Sequence, residues 1–152
     1  MATFRILLPY NYSPNDQKAI RFVIDAFGGQ REAGVTLFHA YTPLPEIDVT
    51  ASPENVKMRS GITYLATELK EKEEALKAVG GMLVEHGFER DTVTWVFKNR
   101  VKSAAEEIVD NVAGFNVVVL SRGAGKVTHF FTRSIYARVV TALRGVTVCV
   151  AT

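Results

Sequence analysis

The chain has 152 residues, the usual size of one folding unit with room for one substantial core. Its composition, 47% hydrophobic and 22% charged, excludes disordered and fibrous classes, and its formal net charge of +2 is too small to point to nucleic acid. No apolar run approaches the roughly 18 residues of a membrane span, and the opening MATFRILLPYNY holds too short an apolar run for a signal peptide. One domain over residues 1–152 is expected, soluble and cytoplasmic. The single cysteine, Cys149, rules out an internal disulfide framework and, between Val148 and Val150, reads as a packed thiol in a strand.

Strand and helix patterns alternate along the chain. Phe4 to Leu8 is an almost unbroken apolar run, as in a strand covered on both faces. Ser13-Pro14-Asn15-Asp16 supplies an N-cap, a first-turn proline and an acidic third position. The helix that follows places Ala19, Ile20, Val23, Ile24 and Phe27 on one face and stops at Gly28-Gly29. Val35 to Tyr41 is the second strand, and residues 43–60 read as the longest irregular stretch.

A long amphipathic helix is expected from Ile62 to His86, capped by Gly87, with Gly80-Gly81 marking a bend or a close backbone contact. The run Glu68 to Lys77 reads as its solvated, ion-paired face. Val93 to Phe97 alternates like a strand near a sheet edge. Ser103-Ala104-Ala105-Glu106 is a capping box that opens a short helix ending at Gly114. Asn116 to Leu120 is the most apolar strand, a last helix runs from Ser134 to Leu143, and Val146 to Val150 closes the chain. Five strands and four helices in strict alternation imply a doubly wound, Rossmann-like α/β domain with a parallel sheet.

In such sheets ligands bind beyond the carboxyl ends of the strands, where the winding reverses. The loops after the first and fourth strands are therefore the candidates. The first offers Asn11 and Ser13. The second offers backbone amides around Gly123 and Gly125, the cations Arg122, Lys126 and Arg133, and the Ser134 hydroxyl at a helix start, a combination suited to an anion. A solvated basic loop with turn glycines reads equally well from composition. Gly125-Lys126 is not a P-loop, because Leu120 and Val127 stand where that motif needs glycine and a hydroxyl residue. No three histidines, cysteines or carboxylates cluster at ligand spacing, so no metal site is expected. His39, at the end of the second strand, reads as a hydrogen-bonded structural residue.

The segments RILLPYNYS, VTLFHAYTP, SAAEEIVDNVAGFNVVVLSRGAGK and GVTVCVAT together resemble the universal stress protein family over nearly the whole chain. That family's nucleotide motif is a glycine, a second glycine three residues on, then nine residues and Gly-Ser or Gly-Thr. Leu120, Gly123, Arg133 and Ser134 occupy those positions here. Asn11 stands where the family's nucleotide binders usually carry aspartate. The resemblance implies a strand order 3-2-1-4-5. It also implies a non-catalytic, dimeric stress-response module acting through a protein partner or a ligand-sensitive state, with adenine-nucleotide binding weakened or lost. The alternative is a conventional ATP- or AMP-binding member acting as a nucleotide-gated switch or slow ATPase. A bound nucleotide would lie with Pro9, Asn11 and Ala40 near base and ribose, and with Ser121, Gly123, Gly125, Lys126, Arg133 and Ser134 near the phosphates. The closing strand, with Val146, Val148 and Val150 alternating, is expected to pair with its copy in a homodimer.

Overall fold

The structure, a computed structural model, describes residues 2–45, 53–122, 138–139 and 141–152. The strands are β1 (Phe4–Pro9), β2 (Ala33–Tyr41), β3 (Val93–Asn99), β4 (Val117–Ser121) and β5 (Thr147–Ala151), and the helices α1 (Asp16–Phe27), α2 (Pro53–Glu85) and α3 (Ala104–Asn111). They form one parallel five-stranded sheet in the order β3-β2-β1-β4-β5. Winding reverses between β1 and β4, so the crevice expected of such a sheet opens beyond Pro9 and Ser121.

Continuous apolar runs make these strands two-faced, and each face carries its own core. On one face Ile6, Leu8, Val35, Leu37, Val117 and Val119 pack against Ala19, Ile20 and Val23 of α1 and Leu76 and Leu83 of α2. On the other, Leu7, Phe38, Val118 and Leu120 meet Ala105 and Ile108 of α3 and Val139. Each fully buried side chain of this size contributes roughly 1.5–3 kcal/mol. The closing strand contributes to both, with Val148 against the second core and the Cys149 thiol against the first.

Three α-helices and one 3-10 turn are present among the described residues. Of the fourth expected helix, Ser134 to Leu143, only Arg138, Val139, Thr141 and Ala142 are described as helical, with Leu143 N–H donating to Val139 O at 3.0 Å. α2 begins at Pro53, nine residues earlier than the periodicity suggested. Proline is at home in a first helical turn, where its missing N–H has no partner to lose. The prolines that argued for an irregular stretch therefore include one that starts the helix. α2 runs unbroken past Gly80-Gly81, and no close backbone contact is found there: a Cβ at Gly80 would lie 3.4 Å from Val93 Cγ1, an ordinary contact with a side chain, and one at Gly81 would meet nothing within 4 Å.

The start of α1 also differs from expectation. The helix begins at Asp16, after Asn15, with no side-chain cap. Ser13 contributes its backbone N–H to the Asp16 carboxylate rather than its hydroxyl to the helix. At α3 the capping box forms as expected: Ser103 Oγ accepts from Glu106 N–H, and Glu106 Oε2 accepts from Ser103 N–H.

Candidate functional site

The turn that leaves β1 wraps around one carboxylate. Asp16 is 1% exposed. Its Oδ2 accepts the backbone N–H groups of Ser13 at 2.8 Å and Asn11 at 3.1 Å. Tyr12, between them, has φ 59° and is the one non-glycine residue of positive φ among those described. That left-handed conformation costs on the order of 1 kcal/mol for such a side chain. It lets the two flanking amides converge on the same oxygen, and three contacts hold it. The Tyr12 hydroxyl donates to Lys72 O of α2, and its ring meets Tyr10 and His39 edge-on, with centroids at 4.7 and 4.8 Å.

The other carboxylate oxygen, Oδ1, faces Ser121 Oγ at 3.4 Å, a long hydrogen bond by the usual standard. Asp16 thereby links the carboxyl ends of β1 and β4 across the winding reversal. Burial raises its carboxyl above the usual range, opposed by the bonds from Ser13, Asn11 and Ser121 and by His39 nearby. Among the described residues no lysine or arginine forms an ion pair with it.

His39, near the end of β2, shares its Nδ1 with Tyr10 O at 2.7 Å. A carbonyl can only accept, so Nδ1 carries the proton and Nε2 is left as an acceptor. Burial pushes its pKa down, so the neutral form is favoured. Phe97 of β3 stacks on this ring at 5.7 Å and touches Tyr41 at 4.6 Å. The expectation of a hydrogen-bonded structural histidine fits this geometry, and the same residue also borders a cavity.

That cavity, about 460 Å³, lies beyond the carboxyl ends of β1 and β2. Asn11, His39, Ala40 and Tyr41 line its strand side, Thr42 to Pro45 one rim, and Leu65, Glu68, Leu69 and Lys72 of α2 the opposite wall. Arg100, just after β3, and Ala104, the first residue of α3, close the remaining side. Such a volume suits a ligand the size of a nucleoside or small drug. Its lining mixes apolar Ala40, Leu44, Leu65 and Leu69 with Lys72, Arg100 and the Glu68 carboxylate, which suits a flat, partly polar molecule.

The loop that presents Arg100 is held by a second buried carboxylate. Glu107 Oε1 accepts from Val101 N–H at 2.8 Å and Lys102 N–H at 3.1 Å, and Oε2 pairs with Lys98 Nζ at 2.8 Å. The Lys98 ammonium, then the two amides, bring the Glu107 carboxyl down to about 2.

Of the residues the sequence singled out, Asn11 and Ala40 line the cavity. Pro9 is buried at the end of β1, and Ser121 lies against Asp16. Gly123, Gly125, Lys126, Arg133 and Ser134 lie outside the described residues. Leu120, aligned with the first glycine of the nucleotide motif, is a strand residue, as expected, paired with Val150 and packed in the second core. Sequence reasoning missed Asp16, Lys72 and Arg100. Asp16 carried a signal, the Ser-x-x-Asp spacing, which reads equally well as a solvated cap. Lys72 was absorbed into an ion-paired helix face, and Arg100 follows a strand without any motif.

No protein-family model and no curated protein sequence matches the chain. Solved structures do match. The hypothetical protein MJ0577, whose biochemical function was assigned from its structure, superposes with TM-score 0.70 at 19% identity, over 99% of this chain and 96% of that one. A universal stress protein from Archaeoglobus fulgidus in complex with dAMP gives 0.63 at 15%, over 100% of both chains. A universal stress protein in complex with cAMP gives 0.55 at 14%, over 99% of this chain and 97% of that one. The sheet order and the two-sided helical cover define a doubly wound α/β protein. More narrowly, the chain has the fold of the universal stress proteins.

Proposed function

We propose that this protein is a universal-stress-protein-type regulatory module, a non-catalytic homodimer whose crevice takes an adenine nucleoside or nucleotide with modest affinity. The observation that carries the reading is the cavity of about 460 Å³ between β2, α2 and the β3–α3 loop, lined by Asn11 and Ala40. Two neighbours of this fold are described in complex with dAMP and cAMP, and both ligands carry the same base. In this protein a base would lie against Ala40 and Tyr41, with His39 Nε2 as an acceptor for an exocyclic amine. Pro9 and Asn11 would border the ribose. Gly123, Gly125, Lys126, Arg133 and Ser134 remain the proposed phosphate contacts, with Ser121 at their start. Modest affinity follows from Asn11, whose exposed side chain cannot ionise or hold a metal as aspartate would, and from the engagement of its N–H by Asp16.

The dimer would form through β5, an edge strand whose other neighbour is β4. Thr147 N–H donates to Asn116 O, and Ala151 O accepts from Arg122 N–H. Alternation along a parallel strand therefore turns the amides of Val148 and Val150 toward the open edge. Val150→Pro removes an outward donor while leaving the β4 ladder intact, so it should yield a folded monomer. Light scattering coupled to gel filtration reads the mass. A wild-type monomer at micromolar concentration contradicts the dimer. For the ligand, isothermal titration with adenosine, AMP and ATP is the test: micromolar to millimolar binding of at least one is expected, and binding of none contradicts the reading.

A further inference from the structure

His39 brings to the cavity a side-chain acceptor whose direction the backbone fixes. Its Nδ1 lies 2.7 Å from Tyr10 O. A carbonyl only accepts, so the ring proton stays on Nδ1 and the lone pair is left at Nε2. Two rings hold the imidazole in place: Phe97 stacks on it with centroids at 5.7 Å, and Tyr12 meets it edge-on at 4.8 Å. Among the described residues no buried side-chain nitrogen or oxygen lacks a hydrogen-bond partner, and the one hydrogen bond of this half-buried side chain is made by Nδ1. Nε2 is therefore open to solvent, and the space that His39 borders is the cavity. An acceptor held in one direction favours a ligand that brings a donor to it, and a ligand without one leaves it unpaired.

We propose that His39 is the specificity-determining residue of the cavity, its Nε2 accepting the exocyclic amine of a 6-aminopurine and so selecting that ring over purines that lack the amine. This assignment rests on the adenine-ligand reading of the cavity, and it adds a dependence on pH. A neutral imidazole with its proton on Nδ1 accepts at Nε2, whereas the cation has two N–H donors and no acceptor. Burial, opposed by the Tyr10 carbonyl, holds the neutral form; the Lys72 ammonium adds to burial and the Asp16 carboxylate opposes it. The other titratable or charged groups around the ring are Tyr10 and Tyr12 at the exit of β1, Tyr41 on β2, Glu68 of α2 and Arg100 after β3. Selection is therefore complete while His39 is neutral. It fades as pH falls through a value below the ordinary 6.5.

The test is titration calorimetry of the whole protein with adenosine and with purine riboside, the same nucleoside without the amine, from about pH 8 to about pH 5. At the alkaline end the wild type should bind adenosine about tenfold more tightly, and the ratio should fall toward one at the acid end. Equal affinities at the alkaline end, or a preference that does not change with pH, overturn the proposal without any variant. His39→Phe keeps a flat ring and removes the acceptor, so its ratio should be close to one throughout. A preference that survives in His39→Phe gives the amine to another acceptor on the wall, such as Glu68 or Asn11, and overturns the proposal. His39→Gln supplies an amide that does not titrate, so whatever preference it shows should stay level across the range. One that still fades in acid contradicts the role of the imidazole. If neither nucleoside binds the wild type, the adenine reading fails and this assignment fails with it. Binding of both without preference sinks the assignment alone.

Discussion

Two carboxylates are buried near the carboxyl edge of this sheet, and they are held in opposite ways. Glu107 is 2% exposed and has three donors, one of them the Lys98 ammonium, at 2.8 to 3.1 Å. Asp16 is 1% exposed and has two amides on one oxygen and a hydroxyl 3.4 Å from the other. Neighbours favour the ionised form of the first, whereas burial prevails over them at the second. A carboxylate with a cation and a full set of donors is a clamp, here on the loop that carries Arg100. The other, without a cationic partner among the described residues, holds the turn that leaves β1 by its two amides. The contrast separates a carboxylate that clamps the loop carrying Arg100 from one that ties the β1 exit to the end of β4.

The largest expected effect lies on the clamp. Glu107→Ala strands Lys98 and leaves the Val101 and Lys102 amides without their acceptor, a loss of about 3 kcal/mol in urea unfolding. Asp16→Asn should change stability by no more than about 1 kcal/mol at neutral pH, because the amides keep an acceptor and a buried charge disappears. If Asp16→Asn proves the more damaging of the two, the contrast is wrong.

pH sharpens the same comparison, because the two signs are opposed. The folded value of Glu107, about 2, lies below its ordinary 4.5. Its contribution is therefore present above pH 4.5 and lost as pH falls toward 2. For Asp16 the folded value is raised above 3.8. Its contribution is complete below that ordinary value and lost as pH rises through the folded one. Urea midpoints followed across acid to neutral pH should show Glu107→Gln converging on the wild type in acid. Asp16→Asn should gain on the wild type as the pH rises. Parallel curves for both variants would contradict the assignment.

Smaller effects bound the clamp region. Ser103→Ala removes the cap of α3 and should cost about 1 kcal/mol without altering ligand affinity. Lys102→Ala breaks an exposed pair with Asp110, 2.7 Å long, and should leave the urea midpoint unchanged, as solvated pairs do.

How far the sequence disclosed this arrangement depended on which physical signal each residue carried. Strands such as Phe4–Pro9 and Val117–Ser121 were legible because two buried faces demand unbroken apolar runs. Their spatial order was not legible from local pattern and entered through the family resemblance, which the sheet bears out. Ser103 and Glu106 were legible because a capping box is a local reciprocal bond. Asp16 was legible as an acidic residue of the helix start, and its carboxylate does take the Ser13 N–H, but its burial and its contact with Ser121, 105 residues away, carry no local signal. Leu120 was legible as the end of an apolar strand from its neighbours Val117, Val118 and Val119, and it ends up in β4 beside Val150. The cavity itself joins β2, α2 and the β3–α3 loop, and no spacing along the chain announces such a meeting.

The most direct test of the account is an amide ¹H–¹⁵N NMR titration of the labelled wild type with adenosine. Saturable shifts are expected to concentrate at Asn11, His39, Ala40, Tyr41, Lys72 and Arg100, the residues around the cavity. Shifts confined to other parts of the molecule, or none at millimolar ligand, would contradict it.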